Sequence, residues 1–171
     1  MSECFSFENR NVVVIGGTSG INLGIAEAFA EHGARVAVAS RSQDKVDAAV
    51  EKLRGYGGQA EGFSADVRKV EELEVGFARI AEVLGRFDVL IVGQAGNFPA
   101  AATDLSPRGF KAVVDIDLLG SFNAVRLAHQ YLSPREASIL AISAPQAFIP
   151  MAYQAHVCAA KAGVEMLTRV L

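Results

Sequence analysis

At 171 residues and 51% hydrophobic, the chain is long enough for one sizeable core and short for two domains, so one domain over residues 1–171 is expected. A net charge of −3, with no block of either sign, argues against a nucleic-acid or anionic-membrane surface and leaves a small molecule as the expected partner. No apolar run nears the roughly 18 residues of a membrane span, and two distant cysteines, Cys4 and Cys158, argue against a metal cluster and fit a reduced, cytoplasmic chain without an export signal.

Val12-Val13-Val14-Ile15 is a β-branched apolar run that reads as a buried first strand. It breaks into the turn Gly16-Gly17-Thr18-Ser19-Gly20, and a helix follows with apolar positions Ile21, Ile25, Ala28 and Phe29. Strand, glycine turn and helix in that order make a phosphate site. The glycines let the backbone bend close to a pyrophosphate, while the N–H groups and positive end of the helix face the anion. The spacing Gly16-x-x-x-Gly20-x-x-x-Gly24 differs from the tighter G-x-G-x-x-G fingerprint, and a tight turn that binds nothing is the alternative.

Gly33 stops that helix, and Ala34 to Ala39 reads as a second strand. Val46, Ala49, Val50 and Leu53 form the stripe of a second helix, ended by Gly55-Tyr56-Gly57-Gly58. Gln59 to Phe63 is a weaker third strand, Val70 to Leu84 a helix, and Asp88 to Val92 a fourth strand, followed by a second glycine-bearing turn, Gly93 to Phe98. Ser106-Pro107 supplies an N-cap and first-turn proline for one long helix to about Leu132. Ile139 to Ile142 is a fifth strand, and a last helix begins near Tyr153 and is still running at Leu171. Such alternation predicts an α/β fold, parallel βαβ units in a doubly wound sheet, with ligands beyond the carboxyl ends of the strands.

Two charged positions stand out. Helical spacing through Phe110, Val113, Val114, Asp117, Ser121, Ala124, Val125 and Ala128 turns the Asp117 carboxylate inward. A buried carboxylate needs a partner or takes up a proton. Lys161, a water or a substrate can meet that need, and a purely structural ion pair is the alternative. Lys161 itself lies between Val157 and Val164 at the edge of an apolar stripe, with its stem partly buried. His156 is roughly 140° around the helix from Lys161, pointing at the cleft mouth or capping the helix start, and Tyr153 is about 80° away and two turns distant. Lys111 and Asp115 read as an ordinary exposed pair.

Taken together, Gly16-Gly17-Thr18-Ser19-Gly20-Ile21, Asp66-Val67, Ala95-Gly96, Asp115-Ile116-Asp117-Leu118-Leu119-Gly120 and Ala159-Ala160-Lys161-Ala162-Gly163-Val164 resemble the short-chain dehydrogenase/reductase family over essentially the whole chain. Ala95-Gly96-Asn97-Phe98, Asp115-Ile116-Asp117 and His156-x-x-x-x-Lys161 are most similar to its 2,4-dienoyl-CoA reductase branch, especially the peroxisomal type. The resemblance implies a Rossmann-type sheet in the order 3-2-1-4-5, a homodimer or homotetramer, and a place in fatty acid metabolism. It also implies a nicotinamide dinucleotide held by Gly16, Thr18, Ser19, Gly20, Ile21, Ser40, Arg41, Asp66, Val67, Ala95, Gly96 and Lys161, with the lysine on the nicotinamide ribose. Two further strands and a substrate-covering segment of the family have no counterpart before Leu171.

Departures from the family pattern carry information as well. The third loop glycine is Asn22, so the loop closes differently or uses Gly24; Asn-Asn-Ala-Gly is Gly93-Gln94-Ala95-Gly96; and the asparagine of the proton relay is Asp117. Val157 stands where the catalytic tyrosine belongs, and Ala144, beside Ser143, where the serine belongs. Ketone reduction puts charge on oxygen and needs a placed proton donor. Reducing an enoyl or dienoyl thioester sends hydride to carbon and leaves an enolate that hydrogen-bond donors stabilise. Loss of the tyrosine therefore favours carbon–carbon double-bond reduction, with Asp117, Tyr153, Asn97 and His156 at the acyl end. A 3-oxoacyl reductase using Tyr153 or Ser143, and an NADP-binding module without chemistry, are the alternatives. Strand two ends Ala39-Ser40-Arg41-Ser42, without the carboxylate that would hold the ribose of NAD, so Arg41, with Ser40 and Ser42, points to NADPH.

Overall fold

The computed structural model describes residues 5–134 and 136–171; Cys4 lies outside them. Five parallel strands form one sheet in the order β3-β2-β1-β4-β5. They are β1 (Asn11–Ile15), β2 (Arg35–Ser40), β3 (Ala60–Ser64), β4 (Val89–Val92) and β5 (Ser138–Ala141). Every residue of β1 is buried because helices cover both faces of the sheet. Val12 and Val14 pack with Val36 and Val38 beneath α1 (Gly20–Glu31) and α2 (Gln43–Arg54). Val13 and Ile15 turn the other way, onto Phe77 of α3 (Val70–Leu84) and the cluster around Phe63 and Leu90. After β3 the chain crosses β1 to build β4 on its far side, so strand order reverses next to the glycine turn. A crevice opens at such a reversal, beyond the strand ends.

Three local expectations are corrected. In α1 the buried residues are Ala26 and Ala30, with Ile25 and Phe29 partly buried against the same core as expected; Ile21 is 78% exposed and Ala28 is exposed, so these two leave the stripe. The segment after Ser106 is not one α-helix. Ser106 does cap α4 (Pro107–Val114), its hydroxyl accepting from the Gly109 amide at 3.1 Å. Asp115–Leu119 then forms a π-helical turn, in which the Gly120 N–H donates to the Asp115 carbonyl five residues back, before α5 (Gly120–Ala128) and a 3₁₀ turn at His129–Tyr131. Steps of four residues at Val113, Asp117 and Ser121 suit a widened turn as well as a regular one. Lastly, α6 (Ala155–Val170) starts after Tyr153, which has a left-handed φ of 64° and belongs to the incoming segment.

Candidate active site

A cleft of about 350 Å³ lies beyond β1, β2, β3 and β4, lined by Gly16, Thr18 and Ser19 on one side and Asp66, Val67, Gly93 and Ala95 on the other. Its floor depends on Gly16, whose φ is 78° and where a Cβ would lie 2.8 Å from the Gln94 amide nitrogen, so the backbone alone fits. Gly20, with φ 57°, has nothing within 4 Å of the place a Cβ would take, leaving space over the helix start for a bulky anion. Ser19 is the N-cap of α1, yet its side chain makes no capping bond. This cradle fits the diphosphate of a dinucleotide.

The far end of the cleft carries charge. Ser40, Arg41, Ser42 and Lys45 line it, with Asp66 opposite. Arg68 grips the Asp66 carboxylate through Nε at 2.9 Å and through its backbone N–H at 3.0 Å. That grip, aided by Arg41, holds the Asp66 carboxyl down to about 2, against a smaller desolvation effect. No feature singled out by sequence pattern named Lys45. Its signal was its place in the first turn of α2, where the helix dipole disfavours a cation unless an anion sits nearby.

Behind the Ile116 edge of the cleft, outside its lining, the π turn presents Asp117, 1% exposed, to Lys161 of α6, 6% exposed. The carboxylate Oδ2 and Lys161 Nζ are 3.6 Å apart, and Nζ donates to the Ile142 carbonyl at 2.9 Å. Asp117 Oδ1 accepts from the Gly96 amide at 2.7 Å. Burial pushes the Asp117 carboxyl above its ordinary value; the Gly96 hydrogen bond and the Lys161 charge pull it back only in part. Gln94 fastens the turn from outside, donating to Ser121 Oγ at 2.9 Å, while that hydroxyl donates to the Asp117 carbonyl at 2.6 Å.

The remaining sequence candidates make other contacts. Tyr153 is 62% exposed, and its carbonyl is held by the Ala100 amide at 3.0 Å, so the helical angle drawn from it to Lys161 does not apply. His156 is fully buried and neither faces a cleft mouth nor caps α6; its ring lies tilted against Phe98 with centroids 4.5 Å apart, within electrostatic reach of Asp117. Ser143 donates to Glu165 at 3.0 Å. Val157 is enclosed with Val113 and Ala160, an apolar pocket where the family tyrosine belongs. Asn22, not Gly24, closes the glycine loop, through a side-chain hydrogen bond to Gly93.

A family model described as short chain dehydrogenase matches residues 10–171. The chain belongs to the short-chain dehydrogenase family. It is 42% identical over 168 residues to the (3E)-enoyl-CoA-producing peroxisomal 2,4-dienoyl-CoA reductase of Arabidopsis thaliana, covering 93% of this chain and 56% of that one. The peroxisomal 2,4-dienoyl-CoA reductase SPS19 of Saccharomyces cerevisiae is 35% identical, covering 96% and 58%. Actinorhodin polyketide ketoreductase, in a crystal structure with NADPH, superposes with a TM-score of 0.90 at 29% identity, covering 94% of this chain and 63% of that one. The chain thus spans a little over half the length of the curated relatives it matches.

Proposed function

We propose that the chain reduces a carbon–carbon double bond of an enoyl or dienoyl thioester with NADPH. One observation carries the reading: a buried carboxyl–ammonium pair, Asp117 and Lys161, lies directly behind the Ile116 edge of the cleft while Val157 occupies the tyrosine position. The relatives named 2,4-dienoyl-CoA reductase support the substrate class, and the cationic far end of the cleft supports the cofactor.

In this proposal the turn from Gly16 to Ile21 holds the diphosphate, Arg41, with Ser40, grips the 2′-phosphate, Asp66 and Val67 border the adenine, and Ala95 and Gly96 flank the nicotinamide. When bound, the nicotinamide supplies a hydride to the substrate. Lys161 is anchored by the Ile142 carbonyl and keeps donors for the ribose hydroxyls. Asp117 Oδ1 is committed to the Gly96 amide, so a proton on this carboxyl sits on Oδ2. Burial favours that neutral acid and the Lys161 charge favours its loss, so Oδ2 can deliver a proton to the second carbon through a water. Hydride and proton then saturate one double bond. No ketone oxygen has to be protonated, and the exposed Tyr153 and the engaged Ser143 are not required.

The test is NADPH oxidation by full-length protein with matched dienoyl, enoyl and 3-oxoacyl thioesters. Turnover of the dienoyl or enoyl substrate is expected. Turnover of the 3-oxoacyl thioester alone would make it a carbonyl reductase, and NADPH binding without turnover of any would make it a binding module.

A further inference from the structure

Besides the close backbone approach of Gly16 to Gln94, the glycine loop after β1 and the turn after β4 meet through one side chain, and both partners there are departures from the family motif. Asn22, in the first turn of α1, donates from Nδ2 to the Gly93 carbonyl at 2.6 Å and to the Gly16 carbonyl at 3.4 Å. Its carboxamide fills the space a side chain on Gly93 would need: a Cβ there would lie 2.5 Å from Cγ, Nδ2 and Oδ1 of Asn22 alike. This neighbour cannot step aside cheaply. Asn22 is short, and swinging it out would break both of its hydrogen bonds. Beyond Gly93 the backbone continues into Gln94, which fastens the π turn, and Gly96, whose amide holds Asp117.

We propose that Asn22 and Gly93 are a reciprocal pair, with Asn22 a positioning residue that sets the spacing between the cofactor cradle and the segment leading to Asp117. A side chain is present at one position because it is absent at the other. Asn22 thereby adds a side-chain tether beside the close backbone approach of Gly16 to Gln94. This inference rests on the reading that the cleft binds a nicotinamide dinucleotide.

The experiment is a double-mutant cycle, read by NADPH dissociation constant and, separately, by melting temperature without cofactor. Gly93→Ala in the wild-type background should weaken NADPH about tenfold or more, but less than about threefold once Asn22→Gly has emptied the space. The swap Asn22→Gly with Gly93→Asn should bind within about threefold of wild type, although each single change weakens binding more than that. Equal cost of Gly93→Ala in both backgrounds overturns the proposal. Coupling seen only in melting temperature also overturns it, by reducing the pair to packing. Should wild type bind neither NADPH nor NADH, the cofactor reading fails by itself, and a melting cycle without coupling would then overturn the pair as well. If Gly93→Asn alone does not fold, the cycle with Gly93→Ala and the folded swap decide the matter.

Discussion

Two aspartates, one lining the cleft and one buried behind it, are driven in opposite directions. Asp66 borders the wet, cationic end, where the Arg68 guanidinium keeps it ionised far below the ordinary carboxylate range. Asp117 is dry, and there desolvation outweighs both a cation 3.6 Å away and a backbone amide. Placing a cation beside a carboxyl is therefore no guide to its charge state until its access to water is known. The cleft-lining carboxylate carries a fixed charge, and the buried one is pushed toward its neutral form.

The contrast breaks most sharply at Asp117. Asp117→Ala should lower turnover by about 10²- to 10⁴-fold, the usual range for a lost acid–base group, while NADPH affinity changes little; a dissociation constant that rises in step with the lost rate would move Asp117 to cofactor binding. At the wet end, Arg41→Ala should weaken NADPH by roughly 10- to 150-fold, matching about 1.5–3 kcal/mol for a charge-assisted hydrogen bond, and NADH far less. Undiminished discrimination between the two cofactors, measured at one salt concentration, would remove Arg41 from that role. Lys45→Ala should cost NADPH only about 2- to 10-fold, and the loss should shrink in high salt.

The smallest effect is the pH dependence of stability, measured by urea unfolding. Asp117 has a folded-state pKa above its unfolded one, so its contribution is full below the ordinary carboxylate value and is lost as pH rises through the raised one. Asp66, lowered to about 2, contributes above the ordinary value and loses that contribution as pH falls toward 2. Asp117→Asn should flatten the first slope and Asp66→Asn the second. The same change in slope from both variants would erase the distinction between the two aspartates.

Much of this was legible beforehand because it rests on local rules. A buried β-branched run, a glycine turn and a helix start marked out the turn after β1, and helical spacing turned Asp117 inward, where Lys161, one of the partners left open for it, lies 3.6 Å away. What escaped depended on details to which periodicity is blind. A single left-handed residue, Tyr153, broke the helical projection used to place it. Burial of His156 came from Phe98, a residue of a loop far away in sequence. Exposure of Ile21 came with a packing face of α1 centred on Ala26 and Ala30 and flanked by Ile25 and Phe29, so the largest apolar residue of the turn was the wrong guide.

The π turn at Asp115–Leu119 bears on how this region tolerates insertion and deletion. Regularising the turn by removing one residue would rotate everything before it by about 100° relative to everything after it. Either Val113 would leave its contact with Val157 and Ala160, or Gly120 would leave the site where a Cβ would strike Val67. Exposed positions on this helix can drift in side chain with little penalty, but their number cannot change. Homologous chains that keep an inward acid here are expected to keep the residue count between the Ser-Pro cap and the acid, even where no single residue in that interval is shared.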